Sequence, residues 1–98
     1  MAFDQTYLYR MGEMGNGNTL WSYMTADAIT TVRGGGYIDS ADDAFDQIRL
    51  GDVFLVSVRS DPSAGPAASS AVQLMTVVAK TASAIDLSDG TAIAVTNT

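Results

Sequence analysis

Aspartate recurs at Asp39, Asp42, Asp43 and Asp46, a spacing that places all of them on one face of a helix. Carboxylates so grouped invite a calcium reading. An EF-hand loop, however, needs oxygens at alternate positions, a central glycine and a closing glutamate. Ala41 and Phe45 fall on ligand positions here and no glycine follows. The cluster therefore reads as a solvated helix start, where negative charge meets the positive end of the helix dipole, and weak divalent-cation binding is the most it would support. The glycine runs Gly34-Gly35-Gly36 and Gly12 to Gly17 lack the Gly-Lys-Ser/Thr ending of a phosphate loop, and the triple glycine closes a helix, whereas a dinucleotide fingerprint opens one. There is no histidine and no cysteine. The commonest general base, the commonest transition-metal ligand and any thiolate nucleophile are thereby missing. A Ser–Lys pair would have to use Lys80, the only lysine. Paired-carboxylate chemistry needs a cleft between two acids, and a chain of 98 residues leaves little room for one. These residues predict no enzyme, no cofactor and no metal site.

The balance of charge narrows the partners. The net charge is −6 and the isoelectric point about 4.1, while Arg10, Arg33, Arg49, Arg59 and Lys80 are scattered. Nucleic-acid binding needs clustered cations on phosphates, and anionic membranes need the same; both are excluded as expected partners. A hydrophobic fraction of 47% fits a folded chain, and a charged fraction of only 16%, against a usual quarter, suggests surface that becomes covered. The opening MAFDQTYLYR has neither a basic n-region nor an apolar h-region, and no apolar run approaches the ~20 residues that span a bilayer.

The elements that would carry these residues follow from periodicity. Phe3, Tyr7, Tyr9 and Met11 fall on odd positions, predicting a short extended segment. Met11 to Asn18 is rich in glycine and asparagine and reads as a flexible tether. Residues 1–18 are thus expected as an extended N-terminal arm, and two readings stay open: addition to a neighbouring subunit's sheet, or pairing within its own domain. Residues 19–98 are expected as one compact domain. Leu20 to Met24 is a strand with Trp21 and Tyr23 on one face. Those two rings and Tyr37 read as core rather than as a stacking platform for sugar or single-stranded nucleic acid. Thr25 suits a helix N-cap, with Asp27 in the first turn and Ala26, Ile29 and Val32 as its apolar stripe. Asp39 or Ser40 suits a second cap, with Asp42 or Asp43 in capping-box position and Ala41, Ala44, Phe45 and Ile48 on the buried side. Val53 to Val58 is apolar on both faces and belongs in the middle of a sheet. Residues 59–71 hold both prolines and form a long exposed loop. Val72 to Ala79 is a strand, Ala84 to Leu87 a short one, Ser88-Asp89-Gly90 a hairpin turn, and Thr91, Ile93 and Val95 a last strand before a tail, Thr96-Asn97-Thr98. The fold class is α+β: a small, mostly antiparallel β-sheet or barrel with two short helices and the arm.

In the middle third of the chain, Trp21 and Tyr23, Thr25 and Asp27, Gly36-Tyr37-Ile38-Asp39 and Leu50-Gly51-Asp52 stand in a fixed order. This order resembles a pattern in short tailed-phage virion proteins: an aromatic W-x-Y strand, a Thr/Ser-x-Asp helix start, G-Y-F/I-N/D, then a later L-x-x-G-D-x-hydrophobic. Ile38 replaces a common phenylalanine, and three glycines stand where one is usual. The resemblance implies a head decoration (capsid cement) protein, made in the host cytoplasm and bound to the capsid exterior. Its partners would be the major capsid protein and its own copies, in a homo-oligomer such as a trimer. Contact would run through the arm (Phe3, Tyr7, Leu8, Tyr9, Met11) and the 59–71 loop (Pro62, Pro66). The alternative it implies is a tail- or fibre-associated module that binds a host surface glycan.

Overall fold

A computed structural model of the chain describes residues 3–63 and 65–93, apart from the side chain of Asp43. Val95 and the 96–98 tail, Ala64 of the loop, and residues 1 and 2 of the expected arm lie outside the described residues.

The N-terminal segment is not a free arm. Asp4 caps a 3-10 turn over Gln5–Tyr7, its carboxylate accepting from the Thr6 amide at 3.0 Å. Strand β1 (Leu8–Gly15) then pairs antiparallel with β2 (Asn18–Thr25) of the same chain. The stretch expected as a tether supplies that strand and its turn. Asn16 and Gly17, at φ 54° and 85°, form the two-residue corner that matches the twist of a hairpin. The Asn-Gly signal outweighs the local glycine content because each turn residue needs a positive φ, which Asn and Gly adopt at little cost.

β2 alternates cleanly. Thr19, Trp21, Tyr23 and Thr25 are buried and Leu20, Ser22 and Met24 are not. β4 (Val53–Val58) lies parallel beside it, from Leu20↔Val53 to Thr25↔Val58. Parallel neighbours need a long crossover, and residues 26–52 supply it. They pass over one face of the sheet and bury Val32, Ile38, Phe45 and Ile48 against it.

The expected helices shrink to single turns inside this crossover. α1 covers only Ile29–Val32, and the second is a 3-10 turn, Asp43–Gln47. Thr30, Thr31 and Val32 are β-branched and three glycines follow, so neither propensity nor length supports a longer helix. Thr25 ends β2 instead of capping α1, and its hydroxyl accepts from the Asp27 amide at 2.9 Å. Asp39 belongs to a two-residue strand, β3 (Ile38–Asp39), which pairs with Ile85 and Ala84.

β4 sits between β2 and β5 (Ala71–Lys80), the central position expected for a run apolar on both faces. Ser88-Asp89-Gly90 does not turn a hairpin. β6 (Ala84–Leu87) and β7 (Thr91–Ile93) lie in succession along the same side of β5, from Lys80↔Ile85 to Val72↔Ile93. The triplet is a bulge within one long, interrupted strand. The Ser88 amide donates to the Thr76 carbonyl at 2.8 Å and the Ser88 hydroxyl accepts from the Thr76 amide at 3.0 Å, so a side chain replaces one rung of the ladder. The sheet runs β1-β2-β4-β5-β6-β3, with β7 also on β5. It is curled and mostly antiparallel, and its core lies on the crossover side.

Candidate contact surface

The residues with chemical potential are mostly spent inside this core. Asp52 is fully buried (0% exposed). One carboxylate oxygen accepts from the Thr19 amide at 2.9 Å and the Asn18 side chain at 3.0 Å. The other accepts from the Trp21 indole at 2.9 Å and the Arg49 amide at 3.0 Å. Burial pushes its pKa up, but the bonds from Trp21, Asn18, Arg49 and Thr19 outweigh it and hold the carboxyl below its ordinary value. Tyr37 stands at a second such knot. Its hydroxyl donates to Asp27 at 2.7 Å and lies 2.8 Å from the Tyr23 hydroxyl, which also accepts from the Asp4 amide at 3.1 Å. Burial, followed by the bonds with Tyr23 and Asp27, raises the Tyr37 pKa far above the usual phenol range. The ordered set Trp21, Tyr23, Asp27, Tyr37 and Asp52 is thus drawn together as two buried polar ties. Trp21 is 4% exposed and stacked on Phe54, with centroids 6.2 Å apart, so it offers no platform to a sugar.

The other candidates have structural employment as well. Asp39 accepts from the Ala41 amide and Asp42 from the Asp39 amide, closing a local turn. The Lys80 ammonium donates to the Phe45 and Ile48 carbonyls at 3.0 and 2.6 Å and lies 4.7 Å from the Phe45 ring centre. It ties the end of the crossover to β5.

The contact residues expected from the sequence divide. Phe3 is buried, 5.0 Å from the Tyr23 ring and 6.0 Å from Tyr37. It anchors the N-terminal segment and presents nothing to a partner. Leu8 is half-buried against the core, and Met11 is exposed on β1. Tyr7, Tyr9, Pro62 and Pro66 come together. With Met24 and Arg59 they line one open groove of ≈ 530 Å³. The 3-10 turn and β1 position the tyrosines, and the β4–β5 loop positions the prolines. That loop is closed at its base by the Ser70 amide on the Val58 carbonyl at 2.8 Å. Near its tip the Asp61 carboxylate accepts from the Ser63 amide and hydroxyl, which hold its pKa below the ordinary value. Arg59 donates through Nη1 to the Gly65 carbonyl at 3.5 Å, and its buried Nε has no partner among the described residues.

The groove is one corner of a larger surface that periodicity indicates only strand by strand. Register carries Tyr9, Ser22, Leu55, Leu74 and Thr91 across the sheet in one row. Leu20, Val53 and Thr76 form a second row, and Met24, Ser57, Val72 and Ile93 a third. All are half-exposed or exposed, and no acidic or basic side chain is among them. The crossover covers the opposite face. The signal in the sequence was Val53 to Val58 itself, since a strand apolar on both sides in a sheet covered on one side leaves apolar surface on the other.

No family model, no curated protein and no solved structure matches this chain.

Proposed function

We propose that this chain is a non-enzymatic phage virion structural protein of the head-decoration type. It binds the major capsid protein on the capsid exterior, after synthesis in the host cytoplasm, and its copies associate with one another there. One observation carries the reading. Tyr7 and Tyr9, from the N-terminal segment, and Pro62 and Pro66, from the long loop, line a single groove at the corner of an uncharged sheet face. Tyrosine and proline give large contact area at low conformational cost. The ordered motif supports the reading indirectly: its side chains hold the scaffold on which this groove stands.

Purified chain mixed with expanded capsids should co-sediment with them. Tyr9→Ser combined with Pro66→Ser should weaken that binding at least tenfold while leaving the melting temperature nearly unchanged. Deleting the N-terminal segment is a poor test, because it removes β1 and Phe3 along with the groove. Absence of binding by the intact chain, or full binding by the double variant, would sink the reading.

A further inference from the structure

We infer that β1 is a strap that closes onto the end of the crossover through two ion pairs, Arg10 with Asp46 and Glu13 with Arg49. Its consequence for the Tyr9 groove rests on the capsid-binding reading; the strap itself does not.

Strand register fixes where the first two charges point. Arg10 lies opposite Trp21 and Glu13 opposite Thr19. Directly opposed residues project to the same side of a sheet, and Trp21 and Thr19 are buried on the crossover side. Arg10 and Glu13 therefore face the crossover, and both are exposed there. They share a recess of ≈ 280 Å³ with Asp46 and Arg49 of the crossover. Among the described residues neither guanidinium forms an ion pair. Arg10 Nη2 donates to the Thr19 hydroxyl and Arg49 Nη1 to the Gly17 carbonyl, both at 3.4 Å. Each bond uses a single donor of a guanidinium that has five.

The order of the charges decides between attraction and repulsion. The Ala44 amide donates to the Gln5 side chain at 3.1 Å, ahead of β1, and Arg49 reaches Gly17, beyond its far end. Residues 44–49 thus run alongside β1 in the same direction. β1 presents a positive charge at Arg10 and a negative one at Glu13. The crossover presents a negative charge at Asp46 and a positive one at Arg49. The spacing is three residues on both sides and the signs are opposite, so each charge meets its complement. In the reverse direction like charges would meet. β1 is also able to move. Only Leu8 is half-buried in it, and it departs from regular pairing between Arg10 and Gly12 and again between Glu13 and Gly15, where bulges let a strand bend. Tyr9 precedes Arg10 and lines the contact groove, so the position of the strap sets where Tyr9 stands relative to Pro62 and Pro66.

Amide hydrogen exchange along β1 tests this in the purified chain, with no capsid present. At low ionic strength Arg10→Glu and Asp46→Arg should each speed exchange of the β1 amides about threefold, and the two together should restore the intact rate. Glu13→Arg with Arg49→Glu makes a second cycle with the same expected pattern, and serves where a variant of the first fails to fold. In about 1 M salt, where the Debye length is about 3 Å, the differences should disappear. Amides of the central strand β4 should keep their protection throughout, which marks the fold as intact. Single variants that exchange at the intact rate overturn the inference, as do a double variant as fast as the singles and a difference that survives high salt. Each of these results leaves capsid binding to its own co-sedimentation assay, so the two failures are distinguishable.

Discussion

On the inner side of β2 and β4, Trp21 donates to Asp52, Tyr23 meets Tyr37, and Phe54 stacks on Trp21. One residue along, on the outer side of the same strands, Leu20, Ser22, Val53 and Leu55 face away from the core with no described helix or sheet across them. The inner side is specific: the Asp52 carboxylate and the Tyr23 and Tyr37 hydroxyls each have named partners, and exchanging one strands the others. The outer side is uniform and uncharged. Period-two alternation lets one strand serve both purposes, because a substitution on one face need not disturb the other.

The contrast breaks most severely at Asp52. Asp52→Ala leaves the Thr19 and Arg49 amides, the Asn18 side chain and the Trp21 indole without their acceptor. A loss of about 3–4 kcal/mol is expected in urea unfolding. The same carboxylate sets the acid limit. Its folded pKa is below its unfolded value, so its contribution is fully present above the unfolded pKa and disappears as pH falls through the folded one. Unfolding free energy should therefore decline below about pH 4, and a titration of Asp52→Asn should show a shallower decline from a lower starting point.

Tyr37→Phe should cost about 1–2 kcal/mol in a thermal melt, because Asp27 and Tyr23 each lose one hydrogen bond. Gly17→Ala tests the hairpin. At φ 85° an added methyl is strained, while the nearest side-chain atom, at 3.6 Å, leaves it room. A cost of about 1 kcal/mol from backbone strain alone is expected. Leu74→Asp, on the outer face, should change the stability of the dilute chain least, by less than about 1 kcal/mol. If that change matched the cost at Asp52, the separation of the two faces would be wrong.

Much of this was legible in the sequence and some was not, for identifiable reasons. Strands β2 and β4 follow from alternation and from a run apolar on both sides. The exposed loop follows from its prolines, and the placement of Trp21 and Tyr23 in the core from their bulk. The helices are shorter than expected, because caps and a three-residue stripe mark where a helix can begin, while β-branched residues and glycines do not continue it. Of the two arrangements open to the N-terminal segment, the structure has pairing within its own domain, set by the Asn16-Gly17 corner. Phe3, expected at a contact surface, instead packs its ring on Tyr23 and Tyr37.

By itself the sequence determined which side chains are bulky, which positions alternate, and that the chain holds no histidine and no cysteine. Tertiary structure decided which face of each strand is covered. It also decided that Asp52 meets Trp21 across 31 residues, and that Tyr9 and Pro66 share one groove. The reason is physical: burial and long-range hydrogen bonds depend on a parallel crossover that packs on only one side of the sheet. No local pattern of residues encodes which side that will be.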